Sequence, residues 1–183
     1  MIALILSPLS SDAQENSMLE KDSLIPYLTD YNINFEIGGK GFFYSINHEL
    51  IFRLNNGLNF FGSIGFMMIP EGVEWLMDNG DIGSKWAVSY GFPISVGLLL
   101  GKKKHKFEIG PSYSIFQFVG DTDNQGNISR EMITVISINL GYRHDIGKSR
   151  YAYKIGAIYA YIIEENWFAP WGQLGVIYKI KTD

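Results

Sequence analysis

The chain has 183 residues, 27 of them aromatic (15%), with 15 Lys plus Arg against 19 Asp plus Glu for a net charge of −4. That length suits one domain, the aromatic content excludes disorder, and the weak acidic balance gives no drive toward nucleic acid. There is no Cys, which excludes disulfides, thiolate metal sites, a cysteine nucleophile and a lipidated N-terminal Cys.

The first nine residues, MIALILSPL, are apolar, and Ser11-Asp12-Ala13 places small residues as a signal-peptidase site requires. The basic segment that usually precedes such a run is missing. A signal peptide, shortened at its start, is expected over 1–13, and residues 14–30 read as a polar lead-in. No apolar stretch reaches the ~18 residues of a transmembrane helix.

From Tyr31 onward the hydrophobic period is two. The first run sets Tyr31, Ile33, Phe35 and Ile37 opposite Asn32, Asn34, Glu36 and Gly38. The second sets Tyr44, Ile46, Leu50 and Phe52 opposite Ser45, Asn47, Glu49 and Arg53. The third sets Leu58, Phe60, Ile64 and Phe66 opposite Asn59, Ser63 and Gly65. In the fourth, Trp86, Val88, Tyr90, Phe92, Ile94, Val96, Leu98 and Leu100 oppose Ala87, Ser89, Gly91, Pro93, Ser95, Gly97 and Leu99. The fifth sets Phe107, Ile109, Tyr113 and Ile115 against Glu108, Gly110, Ser112 and Ser114. The sixth sets Met132, Ile136, Ile138, Leu140 and Tyr142 against Ser137, Asn139, Gly141 and Arg143. In the seventh, Tyr151, Tyr153, Ile155, Tyr159 and Tyr161 oppose Ala152, Lys154, Gly156 and Ala160, and the eighth sets Leu174, Val176, Tyr178 and Ile180 against Gln173, Gly175 and Lys179. Gly, Asn and Asp punctuate the connections, which are expected at Gly38–Gly41, Asn55–Gly57, Pro70–Lys85, Gly101–Lys104, Gly120–Arg130, Asp145–Ser149 and Glu164–Trp167.

Eight alternating strands with no helix predict an all-β, eight-stranded antiparallel up-and-down barrel over 31–183. A barrel of eight strands has an interior that side chains fill. Small and polar residues fit that interior and the bulky apolar face does not, so the apolar face is expected outside, against lipid, as in a transmembrane barrel. A soluble carrier of the lipocalin kind would reverse the faces around an apolar cavity. Interface aromatics are expected as two girdles: Tyr31, Phe52, Phe60, Phe107, Tyr142, Tyr151 and Tyr178 at the end that holds the termini, and Trp86, Tyr90, Tyr161 and Phe168 at the other. The connections at the terminus end are rich in Lys. The opposite, longer ones carry Glu71, Glu74, Asp78, Asp81, Asp121, Asp123, Glu164 and Glu165 against Lys85 and Arg130. Short turns on the periplasmic side and long loops outside predict a bacterial outer membrane, termini in the periplasm, and outer-membrane lipid as the surrounding partner; the sequence does not identify the oligomeric state, for which a monomer is the default expectation.

Phe35-Glu36-Ile37-Gly38-Gly39, Phe43 to Glu49, Phe92-Pro93-Ile94 with Gly101-Lys102-Lys103, Phe107-Glu108-Ile109-Gly110, and Pro170-Trp171-Gly172 leading to Leu174 through Tyr178 follow one another in an order that resembles small outer-membrane barrels of the OmpA/OmpX-like kind, most closely those of Bacteroidota. The resemblance implies location more than activity. Such barrels often end on an aromatic; here Lys179 to Asp183 follow Tyr178.

Candidate chemistry is sparse. Glu36, Glu49, Arg53, Glu108, Arg143 and Lys154 on the inner face are expected to pair as a structural charge network. A lipid-modifying enzyme would need Ser, His and a carboxylate at the outer rim. His105 and His144 fall at the far turns, and His48 faces away from Glu49, so no catalytic residue, cofactor or metal is assigned. Asp121-Thr122-Asp123-Asn124-Gln125-Gly126 starts like a calcium loop, but Met132 stands where the bidentate Glu belongs, and a hydrophilic loop is expected. A narrow pore would need a lumen not blocked by Phe43, Phe61, Phe116 and Trp171. The expected role is structural or surface interaction through 70–85 and 120–130; Trp75, Leu76 and Met77 read as exposed apolar residues of that loop that rest on lipid head groups or cap the barrel, with a partner anchor as the alternative.

Overall fold

The computed structural model describes residues 27–41, 43–55 and 58–180; the segments expected as signal peptide and most of the lead-in lie outside them, as do 56 and 57 of one expected turn. The strands are β1 (Tyr27–Ile37), β2 (Tyr44–Asn55), β3 (Leu58–Leu76), β4 (Ile82–Leu100), β5 (His105–Thr122), β6 (Ile128–Asp145), β7 (Tyr151–Ile162) and β8 (Trp167–Ile180). Each pairs antiparallel with its sequence neighbours, and β8 pairs with β1 from Tyr31↔Ile180 to Ile37↔Leu174, closing the barrel.

The register fixes the stagger. A circuit of paired residues runs from Ile33 through His48, Ile64, Ile94, Tyr113, Ile136 and Tyr161 to Phe168. Phe168 lies six residues past Leu174, which pairs with Ile37, itself four residues past the start, so one turn climbs ten positions. Such a stagger tilts the strands by about 40° to the barrel axis.

The faces divide as the alternation requires. On β4 every second residue from Trp86 to Leu100 is exposed, and those between are buried. The inner face stays small where a large neighbour needs the room. A Cβ on Gly97 would run into the Phe61 ring, and one on Gly91 into Phe116. Ser63, Ser95, Ser112, Ser137, Ala160 and Ala169 pair in sequence around the wall and leave a wide belt inside. Two apolar layers fill the lumen on either side of its polar middle. Ile51, Phe61 and Leu99 form one, toward the termini; Met67, Phe116, Val135, Ile158, Ala160 and Ile162 form the other. Trp171 packs against the second layer, whereas Phe43 is exposed and does not block the lumen.

Two boundaries differ from the sequence reading. β1 starts at Tyr27, within the expected lead-in. The 70–85 connection is mostly strand: β3 and β4 stay paired to Leu76↔Ile82. Pro70, Gly72 and two Glu break the apolar period there and hide the strand. Pairing of β2 with β3 ends at Ile46↔Phe66, so Pro70 sits where one edge of β3 has no neighbour to donate to, a position proline tolerates. The β5–β6 hairpin likewise rises above the wall, to Thr122↔Ile128.

Gly97→Val is expected to cost about 1–3 kcal/mol through overpacking against the Ile109 carbonyl and the Phe61 ring. Gly62→Ala, with nothing within 4 Å of the added Cβ, is expected to be neutral; urea midpoints in detergent compare the two.

Candidate functional site: the lumen charges and the upper hairpins

Six charged side chains of the described residues are buried, and all stand in the lumen between the two apolar layers: Glu36, Lys40, Glu49, Glu108, Arg143 and Lys154. They form an alternating chain. At one end Arg143 holds Glu49 with two parallel bonds, Nη1 to Oε1 at 2.6 Å and Nη2 to Oε2 at 2.5 Å. Its Nε donates to Glu108 at 2.7 Å. Lys154 donates to the other oxygen of Glu108 at 3.0 Å and to Glu36 at 2.8 Å. Lys40 closes the far end, 4.0 Å from Glu36. Asn32 and Asn34 donate to Glu49 and Glu36 at 2.8 and 2.6 Å, and the Phe61 ring lies 5.6 Å from the Lys40 ammonium and 5.3 Å from the Arg143 guanidinium. Three carboxylates meet three cations, and burial without such pairing would cost several kcal/mol per ion.

This membership corrects the sequence reading at one place. Arg53 is exposed near the end of β2 and is not in the buried chain. Its place is taken by Lys40, which strand alternation could not assign because it lies in a turn. The turn folds into the barrel. Gly38 takes φ 65°, Trp171 Nε1 donates to the Gly39 carbonyl at 3.3 Å, and Ser114 Oγ donates to that of Lys40 at 3.2 Å. Lys40 then reaches Ser95 Oγ at 2.7 Å and Ser63 Oγ at 3.2 Å, in the small-residue belt. Gly39 is obligatory here, since a Cβ would collide with Glu36. Glycine on both sides of Lys40 was the available signal.

The outer face carries the aromatics in contacting pairs, all across strands but for Tyr90 and Phe92 on β4. Toward the termini, Tyr31 stacks on His48, Phe52 meets Phe60, Phe107 meets Tyr142, and Tyr151 meets Tyr178. Toward the other end, Tyr90 lies beside Phe92 and Tyr161 meets Phe168 at 4.8 Å. Trp86 stands higher on β4, opposite Gly72 and 79% exposed.

Above the wall, the two long hairpins lean on each other. Trp75 is not an exposed anchor: it points to the inner side, and its indole fills the space beside Gly83 and Gly126. Lys85 lies 5.3 Å from that ring and donates to the Gly126 carbonyl. Asn124 donates to Asp78 at 3.1 Å. Leu76 remains exposed, and Met77 is half-buried. The Asp123 carboxylate receives the backbone N–H groups of Gln125 and Asn127 and the Asn127 amide at 2.8–2.9 Å. These bonds, the Asn127 amide first, hold its carboxyl below the usual carboxylate range. Its oxygens therefore cap the turn over 123–127.

No family model matches the chain, and no curated protein matches it. Among solved structures it is similar to the N-terminal β-barrel domain of OprF from Pseudomonas aeruginosa, with 10% identity over 84% of this chain and 97% of that one and a TM-score of 0.48. It is similar also to Ail, the attachment invasion locus protein of Yersinia pestis, crystallised with the heparin analogue sucrose octasulfate, with 14% identity over 85% of this chain and 97% of that one and a TM-score of 0.46.

Arg143→Ala is expected to lose about 3–5 kcal/mol by stranding Glu49 and leaving Glu108 to Lys154 alone, and adding Glu49→Gln should recover part of it; a double-mutant cycle from urea unfolding gives the coupling. Trp75→Ala should speed proteolysis within 77–81 and 123–127 while leaving the barrel core protected, read by mass spectrometry of limited digests.

Proposed function

We propose that this chain is a bacterial outer-membrane barrel of the OmpA/OmpX-like kind, monomeric, with a closed lumen and its termini in the periplasm. Its role is structural or one of surface interaction through the hairpins over 70–85 and 120–130, rather than catalytic. The observation that carries the reading is the inversion of the faces. Ile33, Phe35, Ile94, Val96, Leu98, Ile136, Ile138 and Leu140 are exposed around the wall, while carboxylates, Lys and Arg are buried inside. In water this would leave a continuous apolar belt far larger than a soluble monomer shows; in lipid it is the required arrangement.

The aromatic pairs at the two ends of that belt suit lipid–water interfaces. Closure supports the absence of an open pore, because apolar layers lie on both sides of the charge chain. The lipocalin-like alternative needs an apolar cavity, and the middle of this lumen is ionic. The three histidines are accounted for without a rim triad: His48 stacks on Tyr31, and His105 and His144 contact each other. A Bacteroidota origin rests on the resemblance of the sequence segments alone. The acidic hairpins, held together by Trp75, offer the surface through which a partner would be met.

Fractionation of expressing cells should place the protein in the outer membrane as a band whose gel mobility shifts on boiling; a soluble protein without that shift overturns the reading. In planar bilayers the purified barrel should show no steady conductance. Ile94→Lys, at mid-belt, should cost about 2–4 kcal/mol and impair membrane assembly, whereas a water-facing position would tolerate it.

A further inference from the structure

The β5–β6 register sets His105 directly opposite His144 at the end of the barrel that holds the termini. Both follow the outward parity of Phe107 and Tyr142. Their Nδ1 atoms are 3.3 Å apart and their ring centroids 4.6 Å apart. The Tyr142 hydroxyl also lies 2.5 Å from Nδ1 of His105. A neutral imidazole nitrogen has either one proton or one lone pair to offer. Nδ1 of His105 therefore serves two partners with one group, whichever tautomer it takes. A metal ion taking the lone pair of each Nδ1 replaces the contact between the two rings and displaces the Tyr142 hydroxyl from that nitrogen.

The spacing fits one ion. Two imidazole nitrogens each about 2.0–2.1 Å from a zinc ion at a tetrahedral angle stand about 3.3–3.4 Å apart. The rings are also held in place: Tyr153 flanks His144 at 5.2 Å, and Tyr142 flanks His105 at 6.0 Å. Asp145, next in sequence, faces inward and is engaged by Lys106 and Lys179 at 3.6 and 2.6 Å, so it does not compete for the rings. We propose that His105 and His144 form a two-imidazole site for a divalent transition-metal ion of the zinc and copper type. Imidazole suits both metals, with copper bound the more tightly. The exposed Lys102, Lys103 and Lys104 on the adjoining turn favour anionic ligands, such as hydroxide or a phosphate, in the remaining coordination positions.

The test uses untagged, chelator-stripped protein in detergent, titrated with Zn2+ by calorimetry and with Cu2+ by electron paramagnetic resonance. One ion per chain is expected, with a copper signal split by two nitrogens. His105→Ala and His144→Ala should each weaken binding at least about tenfold, a change of ~1.4 kcal/mol. His48→Ala, on a distant part of the wall, should bind as the parent does. The heat-modifiable band verifies folding of each variant, and the nitrogen splitting of the unaltered protein decides the matter independently of any variant. No saturable uptake, a copper signal without two nitrogens, binding unchanged in both variants, or an equal loss in His48→Ala would each overturn the proposal.

Discussion

The barrel depends on the neutralisation of charge inside a narrow wall. Glu36, Glu49 and Glu108 have no water to turn to, and each is met by a cation carried on another strand or on the inward turn. Arg143 does most of this work, because its planar fork serves Glu49 with two bonds and still reaches Glu108. The chain of six charges is more than a list of pairs. Removing Arg143 leaves Glu49 without a cation, whereas replacing a complete pair removes both the cost and the gain.

Everything around the chain is shaped to admit it and to seal it. The belt of Ser and Ala narrows the wall's own contribution, so that a turn from one rim can lie within the lumen. The Phe61 layer and the Phe116 layer then flank the polar middle. This ordering, apolar then ionic then apolar along the axis, lets a barrel with a hydrophobic exterior keep charged groups inside. The upper hairpins are free of these constraints. They extend beyond the wall and rely on Trp75, Lys85 and the turn at Asp123 for their mutual support.

The strand count, the assignment of faces and five of the six buried charges were legible in the sequence, because all rest on a period of two that the wall enforces. What was not legible followed from places where the period stops applying. Lys40 lies in a turn, where alternation says nothing about direction, and Arg53 keeps the inward parity but stands too near the end of β2 to be enclosed. Pro70, Glu71 and Gly72 look like a loop, because above the last β2 partner the strand no longer has to face an apolar surroundings on one side and a packed lumen on the other. Trp75 was misplaced for the same reason: read as loop it looked exposed, while as strand it turns inward onto Gly83 and Gly126.

The pairings within the lumen join parts of the chain that are far apart: 94 positions separate Arg143 from Glu49, and 118 separate Lys154 from Glu36. The second of these crosses the seam between β8 and β1, the last contact made as the wall curls shut. An open sheet of six or seven strands would leave the pairs Arg143–Glu49 and Lys154–Glu36 unmade. Partly assembled forms are therefore penalised electrostatically as well as by their bare strand edges. Assembly of such a chain is driven toward a single cooperative closing step, in which the seam and the ionic core form together.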